Sequence, residues 1–177
     1  APGWLYEKYP DCRMIGRDGR SIVYEAPTTL PADGKPGPCY DHPGALADQT
    51  RFITRLVQTL GRFENVVVWN TWQEISYWSE ALVGQSVCFC PHTLAHFRRW
   101  LAAGYGDLDA LNRAWNTRYT AWEAIHPSRA SRQPQAVDLA WQTFMDTVQI
   151  AHVLQRRAEA IRAADLPHDA MEEEAML

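Results

Sequence analysis

The sequence predicts an incomplete α/β fold, and three observations support this. Apolar residues recur at helical spacing along several segments of the chain. One short run, NVVVW at 65–69, has the continuous β-branched apolar character of a strand buried on both faces of a parallel sheet. The chain has 177 residues, whereas a barrel of eight strands and eight helices takes about 250. We therefore expect a helix-rich segment of a (β/α)8 TIM barrel with few strands.

The first half is predicted to contain a loop, a helix and the strand. Residues 1–42 carry many Pro and Gly residues, which predicts a loop. From Pro43, apolar residues recur at helical spacing as far as Leu60, and Gly61 is a suitable stop. The strand at 65–69 follows directly.

Three more helices are predicted in the second half. Pro91 suits the first turn of a helix that ends at Gly104, and a short helix covers DLDALNRAWN. Residues 116–133 are predicted to be loop, and a long helix runs from about Gln135 to Ala164. The predicted buried stripe of that helix is Val137, Trp141, Phe144, Val148, Ala151, Leu154 and Ile161.

Charge and hydropathy exclude two classes of partner. The net charge of −4 does not favour binding to a polyanion, so no nucleic-acid partner is expected. No apolar run reaches the roughly 18 residues of a membrane helix, so no membrane partner is expected either. Glu172, Glu173 and Glu174 form an acidic run, which predicts a solvated tail at 169–177 after a domain at 1–168.

The cysteines favour a reducing compartment. A domain of this size folds without disulfides, and Cys88 and Cys90 are too close in sequence to pair well with each other. We therefore predict a cytoplasmic location. Cys12 is predicted to be a packing residue, and His42, which precedes a helix start, is predicted to form hydrogen bonds in a loop.

Glu74 is the candidate catalytic residue. Function in parallel α/β folds collects at the carboxyl ends of strands, and Glu74 lies a few residues past the predicted strand. Trp69, Trp72 and Trp78 flank it, and a poorly solvated carboxyl group has a raised pKa. Such a group suits the general acid of glycosidic bond cleavage. The alternative is an ordinary loop glutamate that is hydrogen-bonded to the backbone.

Five segments resemble glycoside hydrolase family 42, the β-galactosidases. They occur in the family's order across residues 4–165, and YGDLDALNRAWNT is the most specific part. The segments are WLYEKYPD, VVVWNTWQE, CFCPH, FRRWLAAGYGDLDALNRAWNT and WEAIHPSR. The resemblance implies a segment from the loop after the third barrel strand, through the fourth strand, to the helix before the fifth.

The resemblance also implies a retaining hydrolase in which Glu74 is the acid/base. Gln73 stands where the family usually has a sugar-binding Asn, and Trp72 lies beside it, so both are predicted to bind substrate. Ile75 and Ser76 differ from the family's common Tyr-Gly. The implied nucleophile is a second glutamate after the seventh strand, which we expect to lie beyond this chain.

No other glutamate takes the nucleophile's place, because Glu80, Glu123 and Glu159 match no nucleophile motif. Ala1 is not a methionine, so we expect the chain to be processed or part of a longer protein. No cofactor is expected for catalysis. The expected partner is a galactoside or a related oligosaccharide, and the full-length protein is expected to be a homo-oligomer.

Many family members hold a structural zinc with four cysteines, and this chain matches that site in part. Cys39, Cys88 and Cys90 resemble three of the ligands. Thr93 stands at the fourth position and is no zinc ligand at ordinary pH, so the adjacent His92 is predicted to replace it in a Cys₃His site. The alternative is a degenerate site of free, partly buried thiols.

Two functions follow from these observations. The first is a fragment of a retaining hydrolase that cleaves terminal β-galactosides, carries the acid/base glutamate and is inactive by itself. The alternative is a non-catalytic barrel remnant that binds sugar through exposed tryptophans or binds a partner through an open sheet edge.

Overall fold

The computed structural model describes residues 4–22, 38–71, 88–128 and 134–165. The α-helices in these ranges are α1 (Trp4–Lys8), α2 (Pro43–Leu60), α3 (Pro91–Tyr105), α4 (Leu108–Trp115), α5 (Ala136–Thr143) and α6 (Ile150–Ala164). Short 3₁₀ turns cover Pro10–Cys12 and Trp122–Ala124, and a π-helical segment, Phe144–Gln149, joins α5 to α6. Among the described helices, none is long and apolar enough to cross a membrane.

The helix predicted from Pro43 is confirmed as α2. Pro43 occupies its first turn, where the missing N–H costs no hydrogen bond, and Gly61 caps its carboxyl end. The apolar residues of this helix are only partly covered, since Leu56 and Leu60 are each 37% exposed. One side of α2 packs along α6.

The helix predicted from Pro91 is confirmed as α3, but its predicted end at Gly104 is wrong. The helix continues to Tyr105, and Gly106 ends it with a φ of +78°. That angle lies in the left-handed region, which glycine adopts without a Cβ clash. Asp107 then caps α4 by accepting a hydrogen bond from the Ala110 amide.

The predicted long helix is present, with a change of register that the sequence pattern missed. The π-helical segment Phe144–Gln149 widens one turn and so rotates the following residues around the helix axis. Val137, Trp141 and Phe144 are buried as predicted, and Val148 is half-buried. Beyond the π-helical segment the buried residues are Val153, Ala160 and Ala164, in place of the predicted Ala151, Leu154 and Ile161.

The loop predicted for residues 1–42 is interrupted by α1 and the first 3₁₀ turn. Leu5 and Tyr6 of α1 are buried, together with Cys12 and Ala45, which confirms Cys12 as a packing residue. Isolated bridges join Arg13 to Pro38 and Ile15 to Ser21. Local apolar packing therefore orders residues 4–22, which belong to a segment whose composition is typical of a loop.

The buried strand predicted at 65–69 is wrong for the described part of the chain. Residues 66–70 form neither a strand nor a helix there, and Val67 and Val68 are 87% and 76% exposed. A parallel strand is held by hydrogen bonds to neighbouring strands. The described residues supply no such neighbour, so the β-branched side chains lie in solvent.

The main core forms where α3, α4, α5 and the π-helical segment meet. Phe97 is fully buried, and its ring meets the Trp141 ring edge-on at a centroid distance of 5.0 Å. The buried members of this core are Phe89, Leu94, Phe97, Leu101, Leu111, Ile125, Val137, Trp141, Phe144 and Met145. A smaller cluster contains Met14 and the thiols of Cys39, Cys88 and Cys90.

Candidate functional site

The predicted catalytic and sugar-binding residues Glu74, Gln73 and Trp72 lie outside the described residues. The structure describes the chain that leads to them, as far as Thr71. The guanidinium of Arg157 in α6 donates a hydrogen bond of 2.9 Å to the Thr71 carbonyl oxygen. Burial lowers the pKa of Arg157, because the charged guanidinium is partly withdrawn from water.

An apolar cavity of about 350 Å³ adjoins the chain segment that leads to Glu74. Trp69 lines it together with Phe52 and Leu56 of α2 and Ile161 of α6. Few polar groups face this cavity, although Arg157 and Asn70 lie at its wall. The last described residues before Glu74 therefore face this cavity together with α2 and α6, and Thr71 is hydrogen-bonded to Arg157 of α6.

Three of the predicted metal ligands come together in the folded chain. The Sγ atoms of Cys39, Cys88 and Cys90 lie within 4.8 Å of one another, and all three residues are buried. Cys39 precedes α2, and Cys90 is the residue that caps α3. We call these three residues the thiol cluster. Its geometry brings together three of the four ligands that a structural zinc site needs.

Each sulfur of the thiol cluster lies near a backbone N–H donor. The amides of Ile15, Asp41 and Thr93 donate to the sulfurs of Cys88, Cys39 and Cys90, at N···S distances of 3.3, 3.3 and 3.4 Å. Such bonds stabilise negative sulfur and orient metal ligands. The residues present therefore fit a bound cation.

The thiols are also hydrogen-bonded to one another, which separates their pKa values. Hydrogen bonds from Cys39 and Cys88 lower the pKa of Cys90, so its thiolate is stabilised. Hydrogen bonds with Cys88 and Cys90 raise the pKa of Cys39, and burial raises that of Cys88. A cation would replace the shared protons, which is how metal binding couples to thiol ionisation.

Thr93 lies directly beside the thiol cluster. Its hydroxyl oxygen lies 3.2 Å from the Cys39 sulfur and 3.4 Å from the Cys90 sulfur, and the residue is fully buried. His92 lies in a different group, because its Nε2 is 3.5 Å from an Asp11 carboxylate oxygen and its ring contacts the His42 ring. The structure therefore brings together three of the four predicted ligands and separates His92 from them.

Asp11, His42 and His92 form a group whose residue types can bind a metal. In the structure, both histidines instead lie at hydrogen-bonding distance from Asp11. The Nδ1 atom of His42 accepts a hydrogen bond of 3.1 Å from the Ala45 amide and so caps α2. A neutral imidazole that accepts at Nδ1 carries its proton on Nε2, which lies 3.1 Å from Asp11. That nitrogen then has no lone pair for a metal.

The predicted hydrogen-bonding role of His42 is thus confirmed, and its partner Asp11 was missed. The hydrogen bond from His42 is the largest cause of the lowered pKa of Asp11. No local spacing connects the two residues, which lie 31 positions apart. Their contact depends on how the N-terminal segment packs on α2.

Asp41 is a second polar residue that sequence reasoning missed. Its buried carboxylate is 2.8 Å from Nδ1 of His96 and accepts a hydrogen bond of 2.6 Å from the side-chain amide of Gln149. Its own amide donates to Cys39. Asp41 thereby links the thiol cluster to α3 and to the π-helical segment.

A glycoside hydrolase family 42 model, described as beta-galactosidase, matches residues 1–172. The chain belongs to glycoside hydrolase family 42. This family 42 chain is 30% identical over 118 residues to β-galactosidase BgaA of Thermus sp.. The alignment covers 67% of this chain and 16% of the relative. The chain is also 30% identical over 152 residues to BglY of Alicyclobacillus acidocaldarius, with 81% of the chain and 20% of the relative covered.

Solved structures of β-galactosidases share the fold. The β-galactosidase of Rahnella sp. R3 matches 94% of this family 42 chain with a TM-score of 0.74 and 23% identity. The enzyme of Halorubrum lacusprofundi matches 93% with a TM-score of 0.72 and 22% identity. The chain covers 23% and 24% of those two structures. The chain therefore spans about a sixth to a quarter of the length of the relatives it matches.

Proposed function

We propose that this chain is part of the catalytic barrel of a retaining hydrolase of terminal β-galactosides. The observation that carries the proposal is the family 42 match over residues 1–172. The curated relatives at 30% identity are named β-galactosidases, which supports the substrate class. The segment would run from the loop after the third strand of a (β/α)8 barrel to the helix before the fifth.

Glu74 is the proposed acid/base of the reaction. As an acid it protonates the glycosidic oxygen of the leaving group, and as a base it then activates the water that releases the sugar. A retaining enzyme also needs a carboxylate nucleophile about 5 Å from the acid/base. The proposal places that nucleophile on a part of the barrel outside residues 1–177.

Gln73 and Trp72 are the proposed substrate contacts. The Gln73 side chain offers an amide donor and an amide acceptor to sugar hydroxyls. An indole such as that of Trp72 offers an apolar face to the C–H face of a pyranose. The bond from Arg157 to Thr71 supports this proposal, because it anchors the backbone one residue before Trp72.

The test is an assay of a full-length barrel that contains this segment, with Glu74→Gln as the variant and Glu80→Gln as the matched control. We expect Glu74→Gln to lose most activity on aryl β-galactosides with poor leaving groups and much less with good ones, because good leaving groups need little protonation. Azide should restore part of the rate. Full activity of Glu74→Gln on poor leaving groups, or an inverted product, would contradict the proposal.

We also propose that the thiol cluster holds a structural Zn²⁺, and that catalysis needs no cofactor. Thiolates are ligands that zinc prefers, and the three amide donors support their ionised form. Metal analysis of the protein purified without chelators tests this, with Cys88→Ser as the control. A zinc content near zero would leave the degenerate thiol site as the better description.

A second candidate function is a non-catalytic module that binds a partner or a sugar. The exposure of Val67 and Val68 favours the partner-binding form, since exposed β-branched side chains favour pairing with a strand of another chain. The two functions differ in the wild-type arm of the aryl β-galactoside assay, because a non-catalytic module hydrolyses no substrate even before Glu74 is changed. The homo-oligomeric state, the cytoplasmic location and the division into 1–168 and a tail at 169–177 stay predictions.

A further inference from the structure

The thiol cluster leaves the identity of its fourth ligand open, and the surroundings of the three sulfurs decide between two neighbours. Structural zinc sites are almost always four-coordinate. Thr93 and His92 are adjacent in sequence at the start of α3. Adjacent helical residues point in directions about 100° apart, so the helix presents only one of them to the cluster.

Thr93 is the residue that faces the sulfurs. Its hydroxyl oxygen is within 3.4 Å of two of them, it is fully buried, and its amide donates to the Cys90 sulfur. His92 instead has a partly exposed side chain and contacts Asp11 and His42. To reach the cluster, His92 would have to leave both contacts and turn about the helix axis.

We propose that the hydroxyl of Thr93, and not the imidazole of His92, occupies the fourth coordination position of a metal held by Cys39, Cys88 and Cys90. This inference rests on the proposed metal site, and it reverses the expectation from the sequence that Thr93 is no zinc ligand, because the hydroxyl lies 3.2 and 3.4 Å from two of the sulfurs. It makes the site a three-thiolate, one-oxygen site. A neutral oxygen is a weaker zinc ligand than a thiolate, so the site should bind zinc less tightly than a four-thiolate site.

The test measures zinc affinity of the 177-residue chain by competition with a chromophoric chelator, for the wild type and for four variants. Thr93→Cys supplies a fourth thiolate at nearly the same volume. Thr93→Val keeps the shape and removes the oxygen, whereas Thr93→Ser keeps the oxygen. His92→Asn removes the competing ligand, and bound Co²⁺ reports the number of thiolates through the intensity of its sulfur charge-transfer bands.

We expect Thr93→Cys to tighten zinc binding by about 100-fold and to increase the Co²⁺ charge-transfer intensity by about one thiolate. Thr93→Val should weaken binding by about tenfold, while Thr93→Ser and His92→Asn stay within about threefold of the wild type. A wild type that binds no zinc beside a Thr93→Cys variant that binds one equivalent would overturn the inference, because the position would then accept a ligand that the hydroxyl of Thr93 does not supply.

Two further outcomes overturn the inference, and they differ in what else they overturn. If His92→Asn weakens zinc binding while the Thr93 variants match the wild type, only the assignment of Thr93 fails. If neither the wild type nor Thr93→Cys binds zinc or Co²⁺, the proposed metal site fails as well. Neither outcome bears on Glu74, because the readouts are metal affinity and a spectrum.

Discussion

At the scale of single residues, a few polar side chains hold distant segments together. His42 caps α2 through Nδ1 and contacts Asp11 through Nε2, so one ring serves two elements. Asp41 joins His96 to Gln149 in the same way. Substituting such a residue lowers the free energy of unfolding by an amount that depends on which hydrogen-bond partners are left unpaired.

The first prediction concerns the cap of α2. His42→Ala removes the acceptor for the Ala45 amide, which should lower the free energy of unfolding by about 1 kcal/mol. His42→Asn offers a side-chain oxygen that caps helices well, so it should recover most of that loss. Urea unfolding followed by circular dichroism measures both. Equal stability of His42→Ala and the wild type would show that the cap contributes nothing.

The second prediction concerns acid sensitivity at His152. Burial is the largest cause of its lowered pKa, and the neighbouring His96 lowers it further. Below the ordinary pKa of 6.5, the unfolded chain therefore binds more protons at this residue than the folded chain does. Its contribution to stability should be complete above pH 6.5 and should decrease as the pH falls through the lowered value.

Unfolding free energies measured from pH 8 to about pH 5 test this, with His152→Gln as the comparison. The variant should show a shallower loss of stability over the acid part of the range. An identical pH dependence in the two proteins would assign the acid sensitivity to other groups.

At the scale of elements, one π-helical segment decides which side of the last helix is buried. The α-helical period predicts the stripe correctly as far as Phe144, and the wider turn then moves the buried face to Val153, Ala160 and Ala164. Gln149 lies in that segment and is nearly fully buried, with its amide on Asp41. The segment therefore places a polar contact that a regular helix would direct elsewhere.

The third prediction compares two phenylalanines on different helices. Phe97 of α3 is fully buried between Trp141, Trp100 and Phe144, whereas Phe52 of α2 is 67% exposed. Phe97→Ala should cost about 3–5 kcal/mol of unfolding free energy, because it leaves a cavity in the main core. Phe52→Ala should stay within about 0.5 kcal/mol. Chemical denaturation of both variants tests the pair, and equal losses would contradict the packing described for α3.

At the scale of the whole molecule, the described part of the chain exposes apolar surface. Its exposed apolar side chains include Val67 and Val68 in the segment 66–69 and Phe52 and Leu56 on α2. Monomeric soluble proteins rarely expose contiguous apolar patches of more than a few hundred Å². Burial stabilises by roughly 25 cal/mol per Å², so covering this surface with another apolar surface lowers the free energy.

The fourth prediction is that the 177-residue chain self-associates and has no hydrolase activity by itself. Val67→Lys combined with Val68→Lys should shift it toward monomer, because two charges would then have to be buried in the contact. Leu139→Lys, at a residue of α5 that is 56% exposed, is the control for added charge. Sedimentation velocity measures the distribution. A compact monomeric wild type with cooperative unfolding would contradict this prediction.

The sequence by itself determined the local features of this protein. Apolar spacing, Pro43, Pro91 and Gly61 predicted α2, α3, α4 and the long helix, because helix formation and capping depend on neighbours within a few residues. The motif segments predicted family 42, and Cys39, Cys88 and Cys90 were recognised as one group. These conclusions need no knowledge of how distant segments meet.

Only the tertiary structure decided which distant groups meet. Within the described ranges it left the β-branched run at 66–68 without a neighbouring strand, because strand pairing depends on segments far apart in sequence. It placed Thr93 on the thiol cluster and His92 on Asp11, because one step along a helix turns a side chain by about 100°. Asp41 and Gln149 lie 108 positions apart, and only packing of the π-helical segment against the start of α2 brings their side chains into contact.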